Sequence, residues 1–330
     1  MYVVKSIIQW EKSKQIICKN EILTYFNKQD IRKSGFTVPA PPQTLKFEMN
    51  HWKLDNIFEC LRQAGATALK FRRTSDVELK PDHTIVTIAD REIEAMLAAK
   101  FNRPEAGCYM IGEESVADCS EACLQEAFRG LCYIVDPIDG TAPYSTDVPL
   151  WGISIGLMEH GELTEGAIYL PCPDEALVSC RGTLWSARGL QTASPEVAPF
   201  EAARTPLGLA GHISVGQFAA KHWDIRLSNQ IFAWSSCVGS GYYLLKGLLL
   251  AYVLRSKLWD LAGVMPLVKA AGFEARFPDG APFDFHIATG GQFALDAAGP
   301  HRWRLNDYLT IAPDRETIDY IRNHVTPIQS

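Results

Sequence analysis

Asp136-Pro137-Ile138-Asp139-Gly140-Thr141 directly follows the apolar run Tyr133-Ile134-Val135, so two carboxylates stand three residues apart at the end of a short β-prone stretch. At that spacing both side chains can converge on one small volume, and Gly140 frees the backbone to approach a ligand closely. Like charges held that near each other are unfavourable unless a cation lies between them. Carboxylate oxygens suit hard ions such as Mg²⁺, Ca²⁺ or Mn²⁺, and magnesium is the expected ion. Two further acidic islands support a metal site: Ile111-Gly112-Glu113-Glu114-Ser115 upstream and Leu258-Trp259-Asp260-Leu261-Ala262-Gly263 far downstream.

Taken in order, the Gly-Glu-Glu, Asp-Pro-x-Asp-Gly-Thr and Trp-Asp-x-Ala elements resemble the inositol monophosphatase superfamily of Mg²⁺-dependent, lithium-sensitive sugar-phosphate phosphatases. Val86-Thr87-Ile88-Ala89-Asp90 resembles an earlier element of the same family, and the resemblance spans about residues 54 to 275. It implies an α/β (α+β) fold, a layered αβαβα sandwich of the sugar-phosphatase type, in a homodimer. The implied activity is hydrolysis of a small phosphate monoester by direct attack of a metal-activated water. The resemblance assigns Glu113, Asp136, Asp139 and the Ile138 carbonyl to a first Mg²⁺ and partly to a second, with Asp260 completing the second. Thr141 and Glu113 would orient and deprotonate the attacking water. Gly140 and Thr141 would open a helix whose N–H groups meet the phosphate. Asp82 is a candidate for a third, weaker ion. Gly239-Ser240-Gly241 is read as a substrate loop or, equally, as a bare glycine turn.

Plainer readings exist for several of these residues. Asp136 before Pro137 can begin a turn. Glu114 reads as solvated, Asp260 can cap the helix that follows it, and Trp259 reads as core. Arg255 and Lys257 help to bind an anionic substrate or are simply exposed bases. Where inositol-directed members carry Thr-Asn-Phe after the hexamer, this chain has Ala142-Pro143-Tyr144. Where they carry an acidic residue seven positions before the Trp-Asp aspartate, it has Val253. Lys80-Pro81-Asp82 and Met265-Pro266-Leu267-Val268 resemble the histidinol-phosphatase and phosphoadenosine-phosphatase branches. The expected substrate is therefore a sugar or inositol monophosphate, with histidinol phosphate or 3′-phosphoadenosine 5′-phosphate as alternatives. A reading of a different class, a non-catalytic regulatory member, would be favoured by loss of a metal carboxylate, and none is lost.

Composition bounds the rest. The chain has 330 residues, 47% of them hydrophobic, enough to bury a large core. A net charge of −6 argues against nucleic acid or an anionic membrane as the main partner. No secretory pattern opens the sequence, and the apolar run 242–254 contains Lys246 and is too short to span a bilayer, so it reads as a buried helix. Nine cysteines without framework spacing read as reduced thiols in a cytoplasm. The eight histidines form no zinc-ligand cluster.

Three segments position the motifs. Residues 1–48 are basic, with eight Lys/Arg against four Asp/Glu, and end in Val38-Pro39-Ala40-Pro41-Pro42; they read as a loosely attached extension, or the physiological start is Met49. Residues 49–190 form an N-terminal half carrying Glu113 and the hexamer. Its expected elements are a helix from Leu54, a strand at Val86-Thr87, a helix 91–101 capped by Asp90, a helix 116–128, a strand 131–135, and an antiparallel meander over 150–157, 163–169, 176–180 and 184–187. Residues 191–206 read as a crossing segment. Residues 207–330 form a C-terminal half carrying Asp260, with short elements at 213–215, 227–232, 242–254 and 261–271. A site built from both halves lies at their interface.

Overall fold

Three separate apolar cores set the architecture. The computed structural model describes residues 51–73, 77–79, 85–295 and 301–328. The extension 1–48 and Asp82 lie outside the described residues.

In the first half, apolar side chains at helical spacing make α1 (Leu54–Phe71), burying Ile57, Phe58, Leu61, Ala64 and Ala68. A short antiparallel pair, β1 (Val77–Leu79) and β2 (Ile85–Thr87), leads into α2 (Ile88–Phe101). This helix begins three residues before the expected start at 91. Thr87 is its cap, and the Asp90 carboxylate closes a capping box by accepting from the Thr87 N–H at 2.8 Å and its hydroxyl at 2.6 Å. The helix expected over 116–128 is also corrected. Val116–Asp118 is one 3-10 turn, and α3 (Glu121–Arg129) starts behind Ser120, which accepts from the Cys123 N–H.

The large sheet takes β3 (Cys108–Gly112), β4 (Leu131–Asp139), β5 (Gly152–Glu159), β6 (Glu162–Leu170), β7 (Glu175–Cys180), β8 (Thr183–Arg188) and β9 (Glu196–Pro199), in that spatial order. Only β3 and β4 run parallel. The short helix α4 (Thr141–Ser145) follows β4. His160 and Gly161, both with positive φ, close the β5–β6 hairpin where the turn was expected. The segment 191–206 contributes β9 before it crosses.

The second half contains β10 (Ile213–Val215), α5 (Gln217–His222), β11 (Trp223–Ile225), β12 (Ile231–Phe232), α6 (Cys237–Leu245), β13 (Ala251–Leu254), α7 (Leu258–Ala262), α8 (Met265–Ala270), β14 (Glu274–Arg276), β15 (Leu309–Ala312), α9 (Arg315–His324) and β16 (Val325–Pro327). Its five-stranded sheet has the order β12-β10-β13-β15-β14. The run 242–254 is not one helix. Gly247, at φ 70°, ends α6 with the Leu248 N–H reaching back to the Tyr243 carbonyl, and Tyr252 and Val253 then enter a central strand. The helix expected over 261–271 is likewise divided into α7 and α8 at Gly263-Val264. Within 227–232, only Ile231–Phe232 is regular.

The layers follow from what each element buries. One core lies between α1, α2 and the large sheet, around Ile57, Ile93, Leu97 and Tyr133. A second lies between the two sheets, where α6, α7 and α8 contribute Val238, Leu244, Leu261 and Leu267. The third lies between the smaller sheet and α5 and α9, around Ile213, Ala219, Ile318 and Ile321. Helix, sheet, helix, sheet, helix is the expected sandwich. Among the described residues, no helix is long and apolar enough to cross a membrane.

Candidate active site

Strand β4 brings the hexamer to the edge of the middle layer. Its parallel neighbour β3 ends at Gly112, and the Glu113 N–H continues the ladder for one further step to the Val135 carbonyl at 3.2 Å. That bond fixes Glu113 beside Asp136. Asp136 still pairs with Ser154 on β5, but the register then shifts before Asp139 meets Gly152. Pro137 has no N–H to continue the ladder, and the bulge re-aims the side chains beyond it. The Asp136 carboxylate accepts from the Ile138 N–H at 3.1 Å, and the Thr141 hydroxyl donates to the Ile138 carbonyl at 3.1 Å. Gly140 stands at φ 91°, where a Cβ would meet the Leu150 carbonyl and Ser236.

Asp260 arrives from the opposite half on α7. This helix lies unusually close to the large sheet because glycines face it. A Cβ on Gly156 would sit 2.6 Å from Ala262, and one on Gly166 would sit 2.3 Å from the Gly263 carbonyl. Ser154 clamps the contact, donating to the Trp259 carbonyl at 2.9 Å and accepting from the Gly263 N–H at 3.0 Å. Asp260 itself accepts from the Lys257 N–H at 3.0 Å, within the first turn it caps.

The outcome is a cluster. Oxygens of Glu113, Asp136 and Asp260 all lie within 4.8 Å of one another. Asp136 is 1% exposed and Asp139 is 5% exposed. Burial and then the charges of Glu113, Asp139 and Asp260 push Asp136 well above the ordinary carboxylate range. Burial, with Asp260 next, raises Asp139 to about 7; burial, with Glu113 next, raises Asp260 to about 6. Crowded, desolvated carboxylates are what a hard cation relieves, so the donor set fits a divalent ion.

Asp139 faces a different partner. Its carboxylate accepts from the Ser236 hydroxyl, the Cys237 N–H at 3.0 Å and the Val238 N–H at 2.7 Å, so it satisfies the first turn of α6. Asp139, Ser236 and Cys237 line a cavity of about 330 Å³ with Glu113, Asp136, Asp260 and Thr141. The same lining carries three basic residues, Arg255, Lys257 and Arg304. Lys257 Nζ lies 3.6 Å from Glu113.

A sequence model described as the inositol monophosphatase family matches residues 54–306. The chain belongs to the inositol monophosphatase family. Among relatives, the histidinol-phosphatase of Chlorobaculum parvum is 29% identical over 251 residues, covering 73% of this chain and 88% of that protein. Human inositol monophosphatase 1 is 26% identical over 245 residues, covering 70% and 85%. The solved Thermotoga maritima IMPase superposes with a TM-score of 0.60 at 20% identity, covering 82% of this chain and 95% of that one, which shows a shared fold. Membership makes this a phosphatase of a generally metal-dependent family, and the acid cluster offers an ion its place.

Within this inositol monophosphatase fold, one expected site element is corrected. Gly239, Ser240 and Gly241 are not at the cavity wall. They lie inside α6, with Gly241 against Val264 and the Ser240 hydroxyl bonded to Ser214 and to the Ser236 carbonyl. The residues that do reach the cavity just precede them, Ser235 and Ser236. A serine before a helix is a capping signal, but it carries no sign of the bond to Asp139. Glu94 on α2 was also not anticipated: its carboxylate accepts from the N–H groups of Glu114 and Ser115 at 2.9 and 2.8 Å and so holds the loop bearing Glu113. Trp259 is core, as expected, at 2% exposure.

Proposed function

We propose that this chain hydrolyses a small phosphate monoester with Mg²⁺ as the working ion. The observation that carries the reading is the meeting of Glu113, Asp136 and Asp260, supplied by the ends of β3 and β4 and the start of α7. Glu113, Asp136, Asp139 and the Ile138 carbonyl would hold a first ion and share a second, which Asp260 would complete. When bound, the ions supply Lewis-acid stabilisation of phosphoryl and leaving-group oxygens and acidify water.

The chain's own groups do the remaining work. Thr141 donates its hydroxyl hydrogen to the Ile138 carbonyl, which leaves its oxygen able to accept from a water and orient it, while the water's proton would pass to Glu113. Gly140 and Thr141 line the cavity, and their backbone N–H groups would orient phosphoryl oxygens. The cavity's size suits a small metabolite.

Relatives that bear both inositol monophosphatase and histidinol-phosphatase names leave two leaving groups in view. The decisive experiment is phosphate release by the purified protein from a panel of inositol, fructose, histidinol and adenosine phosphates, with Mg²⁺ and with EDTA. Turnover that requires Mg²⁺ is expected, and turnover unaffected by EDTA would defeat the assignment.

A further inference from the structure

The cavity has two chemically opposed walls, and only the acidic one is explained by the reading above. The basic wall is assembled from two remote segments. Arg255 follows directly on β13, and Arg304 is brought to it by an antiparallel bridge between Lys257 and Arg304. The Leu305 N–H bonds the Ser256 carbonyl at 3.0 Å, and the Leu258 N–H bonds the Trp303 carbonyl at 2.8 Å, so the two segments are laced together. Arg255 is held in place: its Nε donates to the Leu305 carbonyl at 2.8 Å and its guanidinium lies 4.8 Å from the Phe218 ring centre. Arg304 donates to the Arg255 carbonyl at 3.4 Å.

Two half-buried guanidinium groups side by side are unfavourable for the same reason as two carboxylates. Burial and then Arg304 push Arg255 down from its ordinary range, and Asp307 only partly offsets them. Among the described residues, neither Arg255 nor Arg304 has a carboxylate within ion-pair distance. Glu113 and Asp260, the acids on the facing wall, are committed to cations under the proposed function. A preorganised pair of forked donors with no protein anion is the arrangement that receives a ligand anion bidentately.

We propose that the substrate is a phosphate monoester whose leaving group carries a second anionic group, a carboxylate or a further phosphate, gripped by Arg255 and Arg304. The inference rests on the phosphatase reading. It also sets the chain against leaving groups that carry an ammonium, which this wall repels.

The test is a comparison of kcat/KM for matched esters with Mg²⁺. Glycerol 3-phosphate against 3-phosphoglycerate examines a carboxylate; glucose 6-phosphate against glucose 1,6-bisphosphate examines a second phosphate; phosphoethanolamine carries the opposite charge. A preference of about tenfold or more for one doubly anionic member is expected, expressed mainly in KM. Phosphoethanolamine should be the poorest ester. In Arg304→Gln that preference should collapse towards parity, and Arg304→Lys should recover part of it. Arg255→Gln gives an independent check, with thermal unfolding confirming that each variant folds. No preference in the wild type, or a preference that survives both Gln variants, overturns the proposal while leaving the phosphatase reading standing. Absence of Mg²⁺-dependent release from every ester removes that reading, and this inference with it.

Discussion

A carboxylate with 1% exposure beside three others keeps its charge only if something positive reaches it, and Asp136 is that residue here. Asp136→Asn preserves shape while removing one buried charge. Phosphate release should fall by more than about a hundredfold, and metal-free protein at pH 8 should melt at a higher temperature than wild type. Turnover near wild type would sink the ligand assignment. Glu94 is a quieter case. Burial raises its carboxyl above the ordinary range, yet it is spent on two N–H groups of the loop carrying Glu113. Glu94→Gln should raise the Mg²⁺ concentration for half-maximal activity by about tenfold while leaving kcat at saturating Mg²⁺ nearly intact. An unchanged Mg²⁺ titration would show that the loop holds without it. The four site acids were legible because the chemistry demands fixed residue types at short, fixed spacings. Glu94, Ser236 and Arg304 were not. Their roles depend on partners 20, 97 and 47 residues away (Glu114, Asp139 and Lys257), which no local pattern encodes.

At the level of elements, Asp260 is only as well placed as α7 is close to the sheet. The Cβ that Gly166→Ala adds would meet the Gly263 carbonyl, a backbone atom that cannot swing away. We expect a loss of about 1–3 kcal/mol in stability to denaturant, together with weaker Mg²⁺ activation, because the helix must retreat and take Asp260 with it. Loss of stability with unaltered Mg²⁺ dependence would separate packing from ligand placement. The meander was readable from its β-prone runs and from the turn at His160-Gly161. The run 242–254 was misleading because full burial removes any periodicity: strand β13 is apolar on both faces, and so is α6 beside it. Gly247 was the one local sign that the helix must stop there.

For the whole molecule, the crowded acids tie stability to pH and to metal. Asp139 has an ordinary value of 3.8 and stands at about 7 when folded; Asp260 moves from 3.8 to about 6. Between those limits the folded protein retains protons that the unfolded chain has released, so raising the pH favours unfolding. Metal-free protein should therefore melt at least about 5 °C lower at pH 8 than at pH 5, and saturating Mg²⁺ should close or reverse the gap. Equal melting temperatures in EDTA would mean that the carboxylates do not repel one another as their positions require.

The lacing of residues 256–258 to 303–305 has an evolutionary corollary. The hydrolytic acids and the arginine at position 304 are carried by separate stretches of backbone, laced by main-chain bonds that any side chain permits and by the Arg255 and Arg304 side chains themselves. Exchange of the short 302–305 stretch with that of another relative should therefore graft a different leaving-group preference onto an unaltered reaction, making this loop the natural place for paralogues to diverge.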